Sequence, residues 1–168
     1  TALVRSATLL VAAEAAAFGP FLGGLGFYID DWIFLSITAG ADGLIGAMRH
    51  LANGGFWVRP MEILHYPLLG ALGGHQPVFY AAVGLGLKAA EGVLLFLLLD
   101  RLWGKGAPAL AAAALAVLHP SRAAAHFWYA NSPQAVAACL TLASLLLHES
   151  RLSGQGRSLR VAPLTMGN

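Results

Sequence analysis

Residues 77–99, PVFYAAVGLGLKAAEGVLLFLLL, decide the fold class. They form 23 nearly unbroken apolar positions, enough for a helix to cross a hydrocarbon core that needs about 20 residues. The run ends at Asp100-Arg101-Leu102-Trp103-Gly104-Lys105, a charged turn with a Trp at the depth where headgroups begin. The rest of the chain matches this solvent. Of 168 residues, 58% are hydrophobic and only 11% charged, whereas soluble domains carry about 25% charged residues. The mean hydropathy is +0.68.

Working outward gives an all-α, polytopic integral membrane protein with three to four transmembrane helices. Upstream, Ser6 to Phe27 supplies a first span of 22 residues, too long for the apolar core of a cleavable signal peptide, about 7–15 residues. The chain begins at Thr1 without Met, so the expectation is that some N-terminal sequence is missing or processed. Downstream, a third segment over 107–129 is interrupted by His119-Pro120-Ser121-Arg122. A fourth runs from Pro133 to Leu147, with Pro133 placed for a helix start. Residues 1–148 thus form one membrane domain. Residues 149–168, polar and without a core face, read as a weakly ordered cytoplasmic tail.

The first loop, 28–76, is long and polar. Ile33, Ile37, Leu44, Ile45, Met48 and Leu51 are spaced for a helix over Trp32 to Leu51 lying in the membrane interface, and a second short one fits Met61 to Leu72. With the N-terminus cytoplasmic, Arg5, Arg101, Lys105, Arg151, Arg157 and Arg160 fall on that side and Arg49, Arg59 and Arg122 on the other. The bias favours cytoplasmic N- and C-termini. The composition suits a bacterial cytoplasmic membrane.

The net charge of +2 comes without a basic run, so nucleic acid is not expected as a partner. Other integral membrane proteins and lipids are. Cys139 lies alone in an apolar run and reads as a small buried hydrophobe. His50, His65 and His75 read as solvated or hydrogen-bonded, and no close helical His pair or P-loop is present. No protein metal site is expected from these residues.

Inside the membrane, Lys88 sits mid-span with Glu91 three residues on, on one helical face, so the two should pair. Glu14 comes to a similar depth in the first span, making a Glu14, Lys88, Glu91 cluster the expected intramembrane polar group. A structural staple is favoured over a proton or substrate path, and a transporter or channel is the least supported class.

Tyr28-Ile29-Asp30-Asp31-Trp32 puts adjacent carboxylates just past the first span. They can cap the following helix, hold a divalent cation, or act as general base on a hydroxyl. This acidic pair, Trp57-Val58-Arg59-Pro60-Met61, and Leu118-His119-Pro120 with Trp128 following, taken in order, resemble the N-terminal part of the GT-C superfamily. These are polytopic glycosyltransferases using lipid-linked sugars, among them the protein O-mannosyltransferases. The resemblance covers roughly Ala7 to Leu147. It implies a catalytic base or metal-holding role for Asp30 or Asp31, with a divalent cation as the cofactor. It also implies a lipid-phosphate contact for Arg59, since Arg binds phosphate in a bidentate manner; His119, Arg122 and His126 would stand at the outer mouth, either meeting the same phosphate or, for His119 with Pro120, simply ending a helix.

Family members have eight or more spans, whereas the segments read here number four. The first expectation is therefore a non-catalytic accessory or structural subunit of a larger membrane complex, on a truncated GT-C-like scaffold. Its alternative is the N-terminal half of a lipid-linked-sugar transferase completed by a partner chain.

Overall fold

The computed structural model describes residues 2–24, 26–104, 106–120 and 127–158. Among them there is no strand; the protein is an all-α membrane protein. The helices are α1 (Ala2–Phe18), α2 (Ile29–Ala39), α3 (Gly43–Asn53), α4 (Pro60–Gly73), α5 (Pro77–Trp103), α6 (Gly106–Leu118) and α7 (Ser132–Ser158). Single turns at Gly19–Phe21, Phe56–Val58 and Tyr129–Asn131 join some of them.

Three helical stretches are long and apolar enough to cross a membrane: Ala2–Phe21, Pro77–Trp103 and Tyr129–Leu152. The expected third span, 107–129, is realised in a different form. Its helix stops at Leu118 after 13 residues, about 20 Å of rise, because Pro120 allows neither the next backbone hydrogen bond nor the helical geometry before it. The described ends of this stretch stand at opposite ends of the bundle. Gly106 starts beside Asp100, and Tyr129 finishes against Tyr80, with ring centroids 4.5 Å apart.

Sequence reading misplaced other boundaries. The first span ends its helical run at Phe21 rather than Phe27. The helix expected over Trp32 to Leu51 is two helices, broken at Gly40 to Asp42, where Gly40 closes α2 and Gly43 takes a positive φ of 75°. The fourth span is longer than 133–147, and α7 continues through Ser158, so 149–158 is helical rather than weakly ordered tail. Residues 159–168 lie outside the described residues.

The bundle packs along four-residue stripes. α1 buries Leu10, Glu14 and Phe18; α6 buries Ala109, Ala113 and Val117; α5 buries Tyr80, Gly84, Lys88, Gly92 and Phe96. Spacing of four keeps each set on one helix face. Gly92 allows the closest approach: a Cβ there would stand 2.9 Å from Val117 and 3.2 Å from Leu10, so three helices meet where a side chain is absent. Gly104, at φ 61°, ends α5 in the left-handed conformation. At that end the Arg101 guanidinium donates to the Leu146 carbonyl and to Ser150 Oγ and pairs with Glu149 at 3.4 Å, fastening α5 to α7.

At the opposite end, α2, α3 and α4 form a separate apolar core of Phe34, Leu35, Leu51, Tyr66 and Leu69, continued by Tyr80 from α5 and Tyr129. α4 reaches the start of α7 through His65 and Ser132, and the start of α5 through Gly73, which packs directly on the Phe79 ring. It therefore sits at the end of the bundle where α5 and α7 begin.

Candidate functional site

The two adjacent carboxylates have opposite surroundings. Asp31 is 1% exposed. Its Oδ2 accepts the Tyr28 backbone N–H at 2.9 Å, as expected for a carboxylate in the first turn of a helix. Its Oδ1 accepts the Ala130 N–H, also at 2.9 Å, from a segment 99 residues away. Burial raises the Asp31 pKa, and the two backbone hydrogen bonds oppose that rise. Asp30, one residue earlier, is exposed. A helix turns about 100° per residue, so neighbours at its start cannot share one environment.

The segment that Asp31 holds is itself the centre of a network. The Tyr66 hydroxyl donates to the Ala130 carbonyl at 2.9 Å, and the Tyr129 hydroxyl donates to the Tyr66 carbonyl at 3.1 Å. Tyr66 stacks on Phe34 with centroids 3.7 Å apart and meets Tyr129 edge-on. Burial, followed by the charges of Glu62 and Asp31, pushes the Tyr66 phenol well above its ordinary range, with Arg59 acting in the opposite direction. The Tyr66 hydroxyl stays protonated.

His65 and Ser132 approach to 2.6 Å, the distance of a base and its nucleophile. The bonding pattern argues otherwise. Ser132 donates its one hydroxyl proton to the Tyr129 carbonyl at 2.6 Å, which assigns the other contact to a His65 Nε2–H donating into Ser132 Oγ. Both residues are buried, and burial lowers the His65 pKa to about 4, so the ring is neutral at pH 7. The pair closes the start of α7.

Arg59 projects outward, with 65% of its side chain exposed, and its Nη1 donates to Glu62 Oε1 at 3.2 Å. The other oxygen, Glu62 Oε2, is buried without a hydrogen-bond partner. Asp30, Asp31, Arg59 and Glu62 all act electrostatically on Tyr66, so the fold gathers them at one end of the bundle. His119 is elsewhere. It is exposed just past α6, whose Val117 packs at Gly92, about 20 Å along α5 from Pro77. Arg122 and His126 lie outside the described residues.

Lys88 and Glu91 pair at 2.6 Å in the middle of α5, both largely buried. Antiparallel packing that sets Leu10 against Gly92 brings Glu14, four residues on, level with Lys88. Glu14 is fully buried and lines a hollow of about 250 Å³ between α1 and α5, with Ala15, Ala82, Gly86 and Ala89. Among the described residues no group of three or more His, Cys, Asp or Glu is arranged to hold a metal ion. Sequence reading missed Tyr66, Tyr129 and Ser132; only the Ser132-Pro133 start of α7 carried a local signal.

No family model, no curated protein and no solved structure matches this chain.

Proposed function

We propose that this chain is the membrane-embedded half of a lipid-linked-sugar transferase, acting with further membrane polypeptide. The observation that carries this is the split between the two carboxylates. Asp31 is buried and welded to the backbone, while Asp30 is exposed at the same end as Arg59 and in the same electrostatic neighbourhood. Asp30 is then the general base for an acceptor hydroxyl, and Arg59 the contact for a lipid phosphate. In this reading the Asp31 end faces outward from a bacterial cytoplasmic membrane.

The test is ligand-dependent stabilisation of the purified protein. A polyprenyl phosphate should raise the unfolding temperature more than the matching polyprenol, and Arg59→Ala should abolish the difference. Equal stabilisation by phosphate and alcohol would sink the reading.

A second reading, a non-catalytic subunit of a membrane complex on the same scaffold, is favoured by a different observation: both Asp31 oxygens are consumed structurally. Purification in mild detergent separates the two. Recovery at fixed stoichiometry with unrelated membrane proteins, with no phosphate-specific stabilisation, supports the subunit.

A further inference from the structure

We propose that α4 is a membrane-inserted helix whose one uncovered face is packed by lipid acyl chains of the leaflet at the Asp31 end. The inference is independent of the transferase reading. α4 turns Glu62, His65, Tyr66 and Leu69 inward, against α2, α3 and the start of α7. What it leaves outside, beside Pro60 and Ala71, is a leucine stripe, Leu64, Leu68 and Leu72, exposed by 50%, 48% and 67%. These positions repeat every four residues and so line one face. A contiguous exposed apolar stripe marks a membrane or protein contact, and no other described part of the chain covers this one.

Three observations name lipid as the occupant. α4 touches the starts of two membrane spans, through Ser132 at α7 and Phe79 at α5, so it sits at the depth where those spans begin. A Cβ on Gly73 would fall 2.0 Å from the Phe79 ring, and the residues before each of these two, Leu72 and Val78, are both exposed. The leucine stripe therefore continues the lipid-facing surface of a span. At the other end of α4 stand Trp57, 72% exposed, and Arg59. Aromatic and basic side chains of this kind mark headgroup depth. The helix thus has headgroup-seeking residues at its start and acyl-seeking residues along its open face, as an in-plane helix requires.

The experiment uses protein reconstituted in phosphatidylcholine vesicles. In a Cys139→Ala background, single substitutions Leu64→Cys, Leu68→Cys and Leu72→Cys receive a spin label, with Leu145→Cys on α7 as a lipid-facing reference and Asn53→Cys on α3 as a polar-surface reference. Collisions with oxygen should dominate those with a water-soluble nickel chelate at all three leucine sites, matching Leu145→Cys and exceeding Asn53→Cys. Nickel-dominated collisions overturn the proposal, and so do labels immobilised and closed to both reagents, which would mean a protein partner or second copy on the stripe. Unsubstituted protein gives a parallel readout that no folding defect can blur. Phosphatidylcholine carrying a photoreactive group in its acyl chain should crosslink to the peptide over 60–73 as well as to α1, α5 and α7. Crosslinks confined to the three spans would refute the inference.

Discussion

Replacing Asp31 by Ala should cost far more stability than replacing its neighbour Asp30. Asp31→Ala removes two hydrogen bonds from a carboxylate to backbone N–H groups, each worth about 1.5–3 kcal/mol when one partner is charged. It also leaves the Tyr28 and Ala130 amides without their acceptor. Relief from burying a charge offsets part of this, since burial is what raises the Asp31 pKa. A net loss of about 3 kcal/mol remains, or about 6–12 °C in unfolding temperature for a chain of this size. Asp30→Ala touches only an exposed first-turn charge, worth under about 1 kcal/mol. The assay is thermal unfolding of both variants in one detergent, with hydrogen exchange over residues 128–132 as the local readout. Exchange there should accelerate only in Asp31→Ala, because the Ala130 N–H donates to Asp31 and not to Asp30. Equal losses in the two variants, or an unchanged 128–132 segment in Asp31→Ala, would refute the reasoning.

Acid should loosen the seat of α7 through His65. Its folded pKa is lowered from 6.5 to about 4, so its contribution is fully present above pH 6.5 and lost as pH falls through about 4, up to about 3 kcal/mol. His65→Gln should flatten that part of the stability profile, and an unchanged acid limb would exclude His65 as its source. In the bundle, Gly92→Leu should destabilise by about 1–3 kcal/mol through overpacking, because even a Cβ meets Val117 at 2.9 Å; chemical denaturation reads it, and a loss below about 0.5 kcal/mol would contradict the packing. For the intramembrane pair, Lys88→Met alone should be strongly destabilising, about 3–5 kcal/mol, since it strands a buried charge. The double variant Lys88→Met with Glu91→Gln should recover much of that loss in a double-mutant cycle, and simple additivity would argue against the pair acting as one unit.

Composition and periodicity carried much of the fold because a bilayer imposes rules that single residues obey. Twenty-odd apolar positions must be helical to satisfy their backbone where no water is present, so 77–99 was readable alone. The Lys88–Glu91 pair was readable too, since both partners lie on one helix three residues apart. Helix lengths were less legible. Pro120 ended α6 early, while α7 ran past Leu147, where Leu146 and Ser150 find Arg101 across the bundle.

The candidate site divides along the same line. That Asp30 and Asp31 stand at a helix start was local information, and so was the charge of Arg59. Which carboxylate is buried was not, because the answer depends on Ala130, 99 residues away. Nor was there a local mark on Tyr66 or Tyr129, whose hydroxyls are aimed at carbonyls more than 60 residues distant. The sequence by itself determined a helical membrane chain with polar groups gathered in one loop, because hydrophobic burial and backbone satisfaction act residue by residue. Only the tertiary structure decided that Asp31 is a structural tie and Asp30 an exposed acid, because that division is set by which backbone amides arrive from the other end of the chain.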